Sequence, residues 1–204
     1  MTRQQAQRLT IAMKNALFFC VCVSIAGVAL AEHNETHQCN YSIPGYALER
    51  YQANDDGTVL DTTTGLTWNR CTLGMSWDSE LNACLGYPQQ ENWKTTLQSV
   101  SLFNEEQTAL ALPSDWRLPN IKELASIVNL HCVSPALDTE IFPDSSSSYW
   151  SSTPFFSQQV QSLVDGVVID EHAAWSINFA LAGRESGLGI SQKSAARLVR
   201  IATE

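Results

Sequence analysis

Apolar and polar positions change their period along the chain, and each change marks an element. Tyr46 to Trp68 reads as short extended runs broken by turns. Tyr51 leads into Asn54-Asp55-Asp56-Gly57, Thr58-Val59-Leu60 continues extended, and Thr62-Thr63-Thr64-Gly65 turns into Leu66-Thr67-Trp68. From Asn92 to Phe103 the spacing lengthens, with Trp93, Leu97 and Val100 at i, i+4 and i+7, the mark of an amphipathic helix. Trp116-Arg117-Leu118-Pro119 is a further extended run that ends at a proline. Asn120 then stands three residues before Glu123, as an N-cap and its reciprocal partner do, and Ile121, Leu124, Ile127 and Val128 give the following helix one buried face. After His131-Cys132 periodicity is lost: Val133 to Ser148 holds Pro135, Pro143 and four consecutive serines. Tyr149 to Thr153, Leu163 to Ile169, Ala174 to Phe179 and Ala196 to Ile201 read as strands between Gly- and Ser-rich turns. Strands early, two helices in the middle and strands late predict an α+β fold, with the helices flanking antiparallel strands and the first and last strands paired.

The start of the chain changes the cellular picture. Arg3, Arg8 and Lys14 precede an apolar stretch over 16–30, and Ala29-Leu30-Ala31 is an A-x-A site, so 1–31 is expected to be a signal peptide cleaved before Glu32. That stretch falls short of the roughly 18 residues a spanning helix needs, so no membrane insertion is expected after cleavage. A polar, flexible segment over 32–45 follows, with His33, His37 and sequons at Asn34 and Asn40; the domain itself is expected over 46–204. Without the leader, nine basic residues stand against 21 acidic ones. Such a surface disfavours nucleic acid as a partner. The expected location is the periplasm, the cell surface or the extracellular space.

Cys39, Cys71, Cys84 and Cys132 remain after the leader, an even set in an oxidising compartment, and two disulfides are expected. Of three connectivities, Cys71–Cys84 is favoured because the intervening TLGMSWDSELNA carries turn-forming Gly74, Asp78, Ser79 and Asn82; that leaves Cys39–Cys132. Zinc is the rival use of four cysteines, but no C-x-x-C pair supports it.

No nucleophile elbow, H-E-x-x-H helix, P-loop or G-x-G-x-x-G is present. His172 follows Asp170 and Glu171, which makes it either a tuned acid–base group or part of a charged turn. Glu105 and Glu106 are adjacent on a helix, do not face each other, and read as solvated surface. Asn54, Asp56 and Gly57 fit the third, fifth and sixth places of an EF-hand loop, but Gln52 and Thr63 occupy the first and twelfth, so that loop fails. A looser calcium site through Asp55, Asp56 and Asp61 is the remaining metal reading; no other cofactor is expected. Trp68, Trp116, Trp150 and Trp175 lie on strand-like segments and read as core. Trp77, inside the stapled excursion, reads either as a displayed platform for a sugar or protein, or as packing beneath the disulfide. Arg117, Glu123 and Arg200 read as members of structural ion pairs.

The order TGLTW (64–68), CxLGxxW…C (71–84), WRLPNIKEL (116–124), YWSST (149–153), AWSINF (174–179) and ARLVR (196–200) resembles the Lcl C-terminal domain family of bacterial exported proteins. The resemblance runs from about Tyr46 to Ile201. It makes Trp116, Arg117, Pro119, Asn120, Glu123, Trp150, Trp175 and Arg200 structural motif positions. That family is similar in turn to the C-type lectin-like fold, which implies close termini, two helices and a long irregular loop region that often carries binding. The counterparts here would be 131–148 and 154–173. The Glu-Pro-Asn, Gln-Pro-Asp and Trp-Asn-Asp triplets of calcium-dependent sugar binders are missing, and no cysteine follows Cys132, so neither calcium-borne sugar coordination nor a reactive cysteine pair carries over.

The expected function is therefore a non-catalytic, adhesin-like module that binds a glycan or an envelope or extracellular protein. Its candidate contacts are Trp77, Asp165, Asp170, Glu171 and His172. The alternatives are a structural subunit of an envelope assembly and a hydrolase using carboxylates of the late loop.

Overall fold

A computed structural model describes residues 38–40, 48–156, 161–164, 167–170 and 172–202, all within the unit Glu35–Glu204. The expected leader, His33, His37, Asn34, Asp165 and Glu171 lie outside the described residues. The strands in chain order are β1 (Gln38–Cys39), β2 (Tyr51–Ala53), β3 (Thr58–Asp61), β4 (Leu66–Asn69), β5 (Met75–Asp78) and β6 (Ala83–Gly86), followed after the helices by β7 (Cys132–Val133), β8 (Ser148–Phe155), β9 (Gln161–Val164), β10 (Val167–Asp170), β11 (Ala173–Asn178), β12 (Arg184–Gly189) and β13 (Val199–Ile201). Helices α1 (Trp93–Ala109) and α2 (Ile121–Ser126) separate the two groups, so the architecture is α+β with antiparallel strand pairing in every sheet.

One sheet runs β13-β4-β3-β2 and a second runs β12-β11-β8. The expected pairing of first and last strands needs correction. The last strand lies against β4, with Val199 opposite Trp68, while β1 pairs with β7. The early chain makes two consecutive hairpins, and it is the far strand of the second that is left open to receive β13. Leu163 to Ile169, expected as one strand, is instead a hairpin in which Val164 pairs with Val167. Asp165-Gly166 stands between the two apolar halves of that run, a two-residue hairpin composition that a single-strand reading passes over.

Two buried clusters fill the domain. Val59, Trp68, Leu124, Phe142, Tyr149, Ile177 and Val199 belong to one, and Val100, Trp116, Leu118, Trp150 and Leu198 to the other. Neighbouring residues divide between them: Tyr149 from Trp150 on β8, and Leu198 from Val199 at the start of β13. Successive side chains of an extended backbone point to opposite sides, so one strand can serve two cores.

Asn120 accepts from the backbone N–H groups of Lys122 and Glu123, both at 2.9 Å, while Glu123 accepts the Asn120 N–H at 2.7 Å. The same carboxylate takes a two-pronged pair from Arg117, at 2.8 Å to each oxygen. Helix α2 is short: it ends at Ser126, so Ile127 caps it and Val128 lies beyond it. Helix α1, expected over 92–103, is capped by Asn92, whose side chain accepts from the Thr95 N–H, and continues to Ala109. No Gly or Pro interrupts Asn104 to Leu112, so nothing in composition stops it at Phe103. Its buried face is Thr96 and Val100, and Leu97 falls at the exposed margin.

Both expected disulfides are present, Cys39–Cys132 and Cys71–Cys84. Disulfides of this kind mark an oxidising compartment. Among the described residues no helix is long and apolar enough to cross a membrane.

Asp61 is fully buried and meets Arg50 through two contacts of 2.8 and 2.5 Å, with a further bond from the Thr64 hydroxyl at 2.7 Å. Burial pushes its carboxyl up, but the hydrogen bonds from Arg50 and Thr64 and the guanidinium charge outweigh burial and hold it below its usual value. Arg117 lowers Glu123 in the same direction. A depressed carboxyl contributes stability above its unfolded pKa of about 4 and loses it as pH falls through the folded value. The melting temperature is therefore expected to fall below about pH 4, and Asp61→Asn to flatten that slope while lowering the plateau. Thermal melts from pH 2 to 7 measure both.

Candidate functional site

The late loops differ in a way that selects the site. Residues 134–147 are irregular, yet they are packed in. Leu137 and Phe142 are buried in the first cluster, and the backbone oxygens of Glu140 and Ile141 accept from Arg70, each at 2.9 Å. Irregular backbone can be buried when its polar groups are bonded in this way. The expected counterpart of a binding loop over 131–148 is therefore largely a core plug. The stretch after β8 is where the surface opens.

There, Pro154, Phe155 and Phe156 at the end of β8 meet His172 at the start of β11. Trp93 from the first turn of α1 and Ile190 just past β12 close a cleft of about 250 Å³. Each wall has a local cause. The Trp93 indole N–H donates to the Ser151 carbonyl at 2.8 Å, which fixes the ring and satisfies its polar atom. Ile190 is set by its own N–H bond to the His172 carbonyl at 3.0 Å. Phe155 crosses β11 and stacks edge-on against Trp175, with ring centroids 4.6 Å apart. It can do so only because β12 carries Gly187 opposite: a Cβ there would stand 2.4 Å from the Phe155 ring. Phe156 is 89% exposed and His172 is exposed. The result is an apolar, aromatic-walled cleft with one titratable side chain at its mouth, the usual make-up of a small-ligand site.

Trp77 is placed differently. Its indole N–H donates to the Asp55 carbonyl at 2.9 Å, and the Arg70 guanidinium lies over its ring at 4.1 Å. Its Cβ presses on the backbone at Gly57, where an added methyl would stand 2.4 Å away. Trp77 is half-buried and bolts the β5–β6 hairpin onto the β2–β3 turn.

The sequence profile of the Lcl C-terminal domain matches residues 57–200. This chain belongs to the Lcl C-terminal domain family. No curated protein sequence matches it. Among solved structures, the crystal structure of botrocetin matches 81% of this chain and 100% of its own, at 12% sequence identity and a TM-score of 0.37, too loose a likeness to argue from.

In this Lcl C-terminal domain the motif residues hold the frame. Arg117 and Glu123 form the expected ion pair, and the Pro119 carbonyl accepts from Ser152 N–H at 2.8 Å, tying the α2 start to β8. Arg200 stacks over Trp116 at 5.3 Å. Trp68, Trp116 and Trp150 are buried as expected, but Trp175 is not core: it is half-buried on the outer side of the β8–β11–β12 sheet. The register of β11 with β8 shifts between Ala174 and Ser176, with the extra residues on β8, and the Trp175 ring packs edge-on against Phe155.

Of the candidate contacts, His172 lines the cleft, Trp77 lies in the β5–β6 hairpin, and Asp170 ends β10. Of the calcium candidates, Asp61 is held by Arg50, and Asp56 accepts from both the N–H and the hydroxyl of Thr58 at 2.9 and 2.7 Å. Among the described residues no group of three or more His, Cys, Asp or Glu could hold a metal.

Sequence reasoning missed Trp93, Phe155 and Phe156 as cleft walls and Arg197 as the central cation. Arg197 is 0% exposed, and every contact it makes among the described residues is to a neutral group. It donates to the carbonyls of Asn69 and Arg70, to Ser145 Oγ at 2.8 Å and to Tyr149 OH at 3.2 Å, beneath the Phe142 ring. The one available signal was its position inside ARLVR, between residues that are all apolar or motif-borne.

Proposed function

We propose that this domain is an exported, non-catalytic binding module that recognises a glycan, with a protein ligand as the second reading, at the cell envelope or outside the cell. The aromatic cleft carries this reading. Phe156 and Phe155 offer ring faces on which the apolar face of a sugar ring can stack, and His172 offers a hydrogen-bonding group to its hydroxyls. The disulfides support an oxidising destination, in line with the A-x-A leader pattern. A hydrolase would want a carboxyl held protonated near neutrality. Among the described residues the two carboxyls displaced from their usual range, Asp61 and Glu123, are both lowered and both spent on arginines.

The test is glycan-array binding by the folded protein with both disulfides formed, in calcium and in chelator. Saturable binding to one glycan class is expected, and chelator sensitivity would add a metal to the site. Phe156→Ala, at an exposed position, should leave the melting temperature unchanged and weaken binding about tenfold, the loss of one good aromatic contact. Silence under both conditions would move the reading to the protein ligand, with capture of envelope proteins as the next measurement.

A further inference from the structure

A second cleft, of about 290 Å³, lies between α1 and the β5–β6 hairpin, on residues the aromatic cleft does not use. Its base is apolar: Leu73 is buried, and Phe103 is half-buried with its ring edge-on to Trp116. Met75 from β5 and Leu102 from α1 form the sides, and Leu102 stands 58% exposed with this cleft beside it. The rim is polar, and it leans toward acceptors. Glu106, one helical turn beyond Leu102, brings an exposed carboxylate. The Ser99 hydroxyl gives its proton to Glu91 Oε2 at 2.7 Å, which leaves only its lone pairs for anything in the cleft. Among the described residues no Lys, Arg or His lines the space.

The geometry is also fixed. Gly74 has φ of +94°, and a Cβ on it would stand 2.6 Å from Gln89 Cγ and 2.9 Å from Gln89 N. The chain leaving β6 therefore lies directly on Gly74, held by the bond from Gln89 N–H to the Leu73 carbonyl at 2.8 Å. Gln89 reaches the cleft because position 74 has no side chain.

We propose that this α1–β5 cleft is a binding site for a small amphipathic cation, an ammonium group carried on an aryl or alkyl body. The body lies over Leu73, Met75 and Phe103, and the ammonium donates to Glu106 and Ser99. A carboxylate-bearing ligand of the same shape would meet Glu106 with like charge, and no cation on the rim would offset it among the described residues. The volume suits a single ring with a short tail.

Phenethylammonium and 3-phenylpropionate, each a phenyl ring on a two-carbon tether and opposite in charge, make the test. Each is titrated into the folded protein by NMR, with the shifts of the Met75 methyl and the Phe103 ring as readout. Saturable binding of the ammonium is expected, with the carboxylate at least about tenfold weaker and the ammonium's affinity falling as salt is raised. Glu106→Gln, at an exposed helix position, should weaken the ammonium about threefold to fivefold without changing the melting temperature. Phe156→Ala should change nothing, which separates this site from the glycan reading. Equal binding of the two probes, indifference to Glu106→Gln, or loss on Phe156→Ala would each overturn the proposal.

Discussion

Replacing Arg197 is expected to be the most damaging single change in the domain. Arg197→Ala should cost about 4 kcal/mol or more. It takes the guanidinium donor from the carbonyls of Asn69 and Arg70, at roughly 1–3 kcal/mol for each group that stays buried and unpaired, removes one of several bonds at the Ser145 and Tyr149 hydroxyls, and opens a cavity beneath Phe142. Arg197→Lys should recover little. One ammonium cannot span carbonyls at 69–70 and hydroxyls at 145 and 149 together, whereas a planar guanidinium reaches both sides at once. Arg197→Met should fall between wild type and Ala, because it fills the space and removes a charge that has no carboxylate partner among the described residues. Urea unfolding of the three variants gives the ranking. A lysine variant as stable as wild type would show that charge rather than shape is what the site needs.

The two disulfides should differ in what they contribute. Cys39–Cys132 closes a separation of 93 residues and Cys71–Cys84 one of 13. On the chain-entropy account the long loop is worth about 4.6 kcal/mol and the short one about 3 kcal/mol. The paired Cys39→Ser/Cys132→Ser variant is therefore expected to lower stability more than Cys71→Ser/Cys84→Ser. The short-loop variant should show a more local defect, because the hairpin it releases is still bolted by Trp77 to Asp55 and Arg70. Equilibrium unfolding ranks the pair, and hydrogen exchange at β5 and β6 locates the second effect.

How much of this was legible beforehand depended on how local its cause was. The α2 capping box needs only Asn120 and Glu123 at their spacing, and it formed as written. The turn residues between Cys71 and Cys84 were enough to pair them. The end of α1 was not legible, since nothing between Phe103 and Leu112 breaks a helix and only packing decides where it stops. Trp175 was misplaced because a large apolar residue in a strand reads as core, whereas Ala174 and Ser176 on either side of it are the buried ones and Trp175 packs half-buried against Phe155. The aromatic cleft could not have been read at all. Trp93, Phe156, His172 and Ile190 come from four separate stretches, and no spacing along the chain announces their meeting. Arg197 was hidden because an arginine in a short alternating run looks like a solvated position; only the buried carbonyls of a distant strand give it a place.

The division of Tyr149 from Trp150 and of Leu198 from Val199 also bears on how such a chain can vary. Each of these pairs keeps two interiors in step, so adding or losing one residue would send every following side chain to the wrong interior at the same time. Exchanging one apolar residue for another of similar size disturbs a single contact set. Segments such as YWSST and ARLVR therefore behave as words of fixed length, open to respelling and closed to insertion.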